Sequence, residues 1–139
     1  MKRRVFVTGA SGYLGSGIAA RLARAGHEVH GLTRSQDRAG GLEAAGVHPV
    51  FGDLENVASF EGVLHNSDVV VHAAWNAADT ATLDQHALAA IRHSAQDGRV
   101  RRIGWLSSIG ADDPYSRARV AAFRDGLRKL GWVDGRNIL

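Results

Sequence analysis

Apolar positions along this chain change their period repeatedly, and each change marks an element. Val5 to Val7 is an unbroken apolar run, which predicts a first strand over about Arg3 to Thr8. Apolar residues then recur at helical intervals. Ile18, Leu22 and Ala25 fall on one stripe, so the spacing predicts a helix over Gly12 to Ala25 with Gly26 as its stop. Glu28 to Thr33 alternates as a second strand, Asp37 to Ala45 reads as a short helix ending at Gly46, and Val47 to Phe51 as a third strand. Val57 to His65 predicts a third helix. Asp68 to Ala73 is a β-branched run of the kind found in central parallel strands covered on both faces. Thr80 to Gln96 predicts a longer helix and Arg102 to Ser107 a fifth strand. Val120, Phe123, Leu127 and Leu130 then return to helical spacing, with Gly131 as the stop.

Strands alternating with helices at this spacing imply right-handed βαβ units and one parallel sheet. The expected fold is α/β: a Rossmann-like, doubly wound sheet of order 3-2-1-4-5 in a three-layer αβα arrangement. Its ligand crevice lies at the switch between strands one and four. Residues 1–110 read as one domain, and residues 111–139 as a C-terminal helix and tail.

The turn after the first strand carries three glycines at three-residue spacing: Gly9, Gly12 and Gly15. Strand, glycine turn and helix in that order set a helix N-terminus against a dinucleotide pyrophosphate. Gly9 allows the sharp turn, Gly12 lets the backbone approach phosphate, and Gly15 lets the helix pack closely on the sheet. Gly9, Ser11, Gly12, Tyr13, Leu14 and Gly15 are therefore the expected phosphate-side residues. An ordinary βα turn is the plain alternative.

Other strand ends supply further candidates. Thr33-Arg34 closes the second strand where a carboxylate would hold the ribose hydroxyls of NAD. A guanidinium there suits a 2′-phosphate, so NADP is expected ahead of NAD, unless Arg34 is simply a solvated loop residue. Asp53, in Gly52-Asp53-Leu54, is placed to accept from an adenine amino group with Leu54 against the ring; it is equally placed to cap a helix. Ala73 and Ala74 are small and would leave room for the cofactor beside the glycine turn. His72 before them reads as a core histidine without assigned chemistry. Leu106-Ser107-Ser108 closes the fifth strand, where a hydroxyl would face a nicotinamide and a substrate carbonyl.

Composition narrows the class. The chain has 139 residues, enough for one domain with a core. No apolar window approaches the roughly 18 residues of a membrane span, and Val5 to Val7 is too short for a signal peptide. With no cysteine, disulfides and thiolate metal sites are excluded, and a reducing, cytoplasmic setting fits. Net charge is +3, concentrated in residues 99–139. That segment interleaves its charges with apolar residues at helical spacing, as a solvated helix face does, so nucleic acid is not an expected partner. The seven histidines suggest no metal site; His86 and His93 stand two turns apart. The partner expected is a small-molecule substrate of unknown identity, and an exposed sheet edge would encourage a homodimer.

Together, Thr8-Gly9-Ala10-Ser11-Gly12-Tyr13-Leu14-Gly15, Gly52-Asp53-Leu54, Val71-His72-Ala73-Ala74 and Leu106-Ser107-Ser108 resemble the extended and atypical short-chain dehydrogenase/reductases, including the NAD-dependent epimerase/dehydratases. The resemblance covers about residues 2–122. It implies a Rossmann fold, a bound nicotinamide dinucleotide and, in active members, hydride transfer at a carbonyl or hydroxyl carbon assisted by a Tyr-x-x-x-Lys pair. Tyr115-Ser116-Arg117-Ala118-Arg119 sits where that pair belongs. The resemblance makes Tyr115 the acid/base, Arg119 the occupant of the lysine position and Ser108 the hydroxyl partner. Arg119 departs from the pattern, because a planar guanidinium is not equivalent to an ammonium, and the gap from Ser108 to Tyr115 is short. A dinucleotide-binding or redox-sensing module without turnover, or an inactive truncated product, is the alternative expectation. Residues 122–138 also resemble the opening segment of ABC-transporter substrate-binding proteins, in their Phe-Arg-x-Gly-Leu helix and Gly-Arg-Asn turn, which would make the tail foreign to the domain.

Overall fold

The computed structural model describes residues 1–74, 80–93, 102–105, 110, 112–133 and 135–136. Five strands, β1 (Arg4–Thr8), β2 (Glu28–Thr33), β3 (His48–Phe51), β4 (Val69–His72) and β5 (Arg102–Trp105), form one sheet of order β3-β2-β1-β4-β5. Every pairing is parallel. This is the expected doubly wound, Rossmann-like order, with β1 central and the crevice falling between β1 and β4. Among the described residues, five α-helices connect and follow the strands: α1 (Tyr13–Arg24), α2 (Gln36–Ala44), α3 (Glu61–His65), α4 (Thr80–His93) and α5 (Pro114–Lys129).

The strand pleat divides the core into two. Val5, Val7 and Val29 point to one face and pack with Ala10, Ala19, Leu42 and Val47. Phe6, Leu32 and Val70 point to the other and pack with Leu54, Phe60, Leu64 and Ala90. A third cluster (Ile91, Phe123, Leu127 and Trp132) joins α4 to α5. The chain reverses after α5 at Gly131, whose φ of 84° suits glycine, and Trp132 folds back into that cluster. Helix α5 packs tightly on α4 at Gly126, where an added Cβ would lie 2.6 Å from Leu88 Cδ1. The C-terminal helix thus shares its apolar face with α4 and β5.

Two expectations change in detail. The stripe of α1 is built on Gly15 and Ala19, with Leu22 and Ala23 packed beside them, and Ala25 is an exposed C-cap. The expected third helix divides into a short 3₁₀ turn, Val57–Ser59, and α3, because Phe60 leaves helical geometry at φ −138° to bury its ring against Phe6, the centroids 5.4 Å apart. Helix α4 is described through His93 and β5 through Trp105. The continuations expected to Gln96 and Ser107, and with them Ser108, lie outside the described residues.

Candidate functional site

β1 ends at Thr8 and delivers the chain directly into the glycine turn. Gly9 has φ 66°, and a Cβ built on it would come within 2.6 Å of Ala74 Cα and 2.7 Å of the Ala73 carbonyl oxygen. The turn therefore sits flush against the end of β4, at Ala73 and Ala74, the small residues expected to leave room for a cofactor beside it. Its closure is a hydrogen bond from the Gly12 N–H to the Gly9 carbonyl at 2.9 Å. A Cβ on Gly15 would run into the same Gly9 carbonyl, so helix α1 needs glycine there to reach the turn. Gly12 is different. Its φ of −84° suits any residue, and its Cβ would meet one atom, Gly9 O at 3.2 Å.

Helix α1 begins with Gly12 as N-cap and no side-chain cap, and no acidic residue in its first turn. A helix start leaves its first N–H groups without intrahelical acceptors. The positive end of the helix dipole adds to them. The two conditions together favour an anion. Tyr13 is almost fully exposed beside this start, and Leu14 is half-buried.

The ribose side of the crevice is more basic and more tied together than the strand ends alone implied. The Arg34 guanidinium lies 3.5 Å from an Asp53 carboxylate oxygen. β3 ends beside β2 in the parallel sheet, and this brings Asp53 to Arg34. The other Asp53 oxygen accepts from the Glu55 N–H at 3.2 Å, shaping the turn after β3. Arg38, on α2, donates to the Ser11 carbonyl at 3.3 Å and so reaches the glycine turn itself. No motif in the sequence marks Arg38; the available signal was its place in the first turn of the helix that follows the Arg34 strand end. Leu54 is buried, part of the core with Phe60 and Leu64, and lines a narrow cleft with Phe6, Thr8 and His72.

Beneath the crevice lies a buried polar chain. Thr8 Oγ1 and His72 Nδ1 are 2.7 Å apart, and His72 Nε2 is 3.1 Å from Asp84 Oδ1. Arg119 donates to Asp84 Oδ2 at 2.8 Å, its guanidinium 4.9 Å over the Trp105 ring. The His72 ring stacks parallel to Phe123 at 6.2 Å. His72 is 1% exposed, so it is the core histidine the sequence suggested, with both nitrogens engaged. Burial pushes the Asp84 carboxyl up, but the hydrogen bonds from His72 and Arg119 outweigh it and hold its pKa below the ordinary 3.8. A carboxyl with a depressed folded pKa contributes stability above its unfolded value and loses it as pH falls through the folded one. Asp84→Ala is expected to destabilise the domain by about 3 kcal/mol at neutral pH, because it strands a buried cation. Urea unfolding at neutral and acidic pH checks this: the gap between wild type and variant should shrink in acid, and a constant gap would disprove the linkage.

Asp113 caps α5, accepting from the Tyr115 N–H at 2.9 Å and the Ser116 N–H at 3.2 Å. Tyr115 is 57% exposed, whereas Arg119, one turn on, points inward to Asp84. Among the described residues no group of three or more His, Cys, Asp or Glu could hold a metal. None of their helices is long and apolar enough to cross a membrane.

Fold and glycine turn together define a Rossmann-like domain with a dinucleotide crevice at the β1–β4 switch. The chain belongs to the NAD(P)H-binding family, which matches residues 9–131. It is 32% identical over 111 residues to the 4-hydroxy-2-methyl-3-oxo-4-farnesyl-3,4-dihydroquinoline-1-oxide ketoreductase of Stigmatella aurantiaca, covering 76% of this chain and 33% of that protein. It is 43% identical over 72 residues to the 2-alkyl-3-oxoalkanoate reductase of Shewanella oneidensis, covering 52% and 18%. Among solved structures, AtPrR2 in its apo form superposes with a TM-score of 0.73 at 25% identity, covering 94% of this chain and 46% of that one. AtPrR2 has also been solved with NADP+ and (+)pinoresinol, with a TM-score of 0.71 at 24% identity, covering 95% and 48%. The chain thus spans a third of the Stigmatella protein and just under half of AtPrR2. The family match takes in all of α5, and the buried face of that helix belongs to this core. The likeness of residues 122–138 to transporter proteins is therefore not carried further.

Proposed function

We propose that this chain holds NADPH, as the nucleotide-binding part of a reductase acting at a carbonyl or hydroxyl carbon. One observation carries the reading. Gly9 and Gly15 are required by contacts inside the fold, whereas Gly12 is nearly free of them and stands at an uncapped helix start. Glycine at that position keeps the N–H groups open to a phosphate. Arg34 and Arg38 supply two cations on the ribose side, which favours the 2′-phosphorylated dinucleotide. The reductase names of the Stigmatella and Shewanella relatives and the NADP+ held by AtPrR2 support the same direction.

When bound, the reduced nicotinamide supplies hydride. The first turn of α1 would hold the phosphates, and Arg34 and Arg38 the ribose end. Tyr115 would donate the proton, the role the family resemblance gives it. A second reading, in which the dinucleotide is held without turnover, is favoured by the commitment of Arg119 to Asp84. An arginine held there is withdrawn from the lysine's part.

Titration of the chain with NADPH and NADH tests the proposal, and binding of neither sinks it. Arg34→Ala is expected to weaken NADPH by about tenfold, the worth of one charged hydrogen bond, and to leave NADH nearly unchanged. Equal losses for both would remove the 2′-phosphate role. Oxidation of NADPH by a 2-alkyl-3-oxoalkanoate, lost in Tyr115→Phe, would decide for turnover.

A further inference from the structure

We propose that Asp84 is a positioning residue for the dinucleotide turn: through His72 it sets the direction in which the Thr8 hydroxyl donates. The proposal rests on the dinucleotide reading above. A carboxylate only accepts, so the proton between Asp84 and His72 belongs to Nε2. In a ring that carries this one proton, Nδ1 is a lone pair, and at 2.7 Å it takes its hydrogen bond from the Thr8 hydroxyl. The Thr8 hydroxyl proton is thereby spent inward, at the residue immediately before Gly9. The Thr8 carbonyl meanwhile accepts from the Ala73 N–H at 3.3 Å, so β1 and β4 are joined by backbone and side chain where the turn rests on Ala73 and Ala74.

Arg119 makes this direction depend on the charge of Asp84. Its guanidinium takes Oδ2 and cannot accept. In Asp84→Asn the single amide oxygen is claimed by Arg119, and the NH₂ is left facing His72. An NH₂ donor forces the ring proton from Nε2 to Nδ1. The Thr8 contact then reverses, with His72 donating and the threonine hydroxyl proton released toward its surroundings. The change removes no bulk but takes the counter-charge from Arg119, so the ring tautomer and the Thr8 variant below are what separate lost direction from lost charge.

Two measurements on the full chain test this. The ¹⁵N spectrum of the His72 ring should show the Nε2–H tautomer in the wild type and the Nδ1–H tautomer in Asp84→Asn. NADPH affinity should fall by about tenfold in that variant, as expected for a misdirected buried hydrogen bond. Thr8→Val, which keeps the shape and removes the hydroxyl, should lose affinity similarly while its ring stays Nε2–H. A wild-type ring carrying its proton on Nδ1, or on both nitrogens, overturns the proposal. So does an NADPH affinity in Thr8→Val equal to that of wild type, and this arm decides the matter even where Asp84→Asn fails to fold. A wild type that binds neither dinucleotide fails the reading of the previous section instead, whereas binding that is indifferent to both variants fails this one.

Discussion

A chain carrying alanine at position 9 is expected to be largely unfolded at room temperature. Two costs add at this residue. A φ of 66° places any Cβ against its own carbonyl, about 1–2 kcal/mol. The new methyl also meets three backbone atoms of Ala73 and Ala74 at 2.6–2.7 Å. Backbone cannot rotate aside as a side chain would, so relief means prising the end of β1 from β4, where Thr8 pairs with His72. Overpacking of this kind costs about 3 kcal/mol. The sum approaches the whole stability of a small domain. Circular dichroism and urea titration would read it, and a Gly9→Ala chain that melts near wild type would show that the turn is much softer than its contacts imply.

Gly12→Val should give the opposite pattern. Valine adopts φ −84° without strain, and its one close contact is 3.2 Å from Gly9 O, so stability should fall by about 1 kcal/mol, the scale of a poor N-cap. Its methyls stand over the first amides of α1. NADPH binding should weaken by about a hundredfold or more, since several charge-assisted hydrogen bonds are blocked together. A variant that keeps its fold and its affinity would take the phosphates away from this helix. The paired result, one glycine needed for folding and another for ligand, is the strongest available test of the site.

The strand order was readable because it rests on local signals. Apolar runs, helical spacing and glycine stops each act within a few residues, and parallel βαβ handedness leaves few ways to join them. The glycine turn was readable for the same reason. Phe60 was not, because its departure from helical geometry is driven by a ring 54 positions away in sequence, Phe6. The same distance effect governs the site. Arg34 stood out at a strand end, but its partner Asp53 arrives through the β2–β3 register. Arg119 matched a motif position by spacing, and only the fold shows that Asp84, 35 residues earlier, already claims it. Motif spacing reports where a side chain is rooted; its direction is decided by whatever charge the tertiary fold brings near.

One rim of the sheet carries its own consequence for how this protein meets other chains. β3 is an outermost strand, and Pro49 lies within it, in register with Gly31 of β2. Proline has no N–H to offer, so a strand arriving along this border finds a missing rung in the ladder it would need to copy. The candidate binding residues lie at the C-terminal ends of these strands. The flank beside them is thus poorly suited to templating a neighbouring strand.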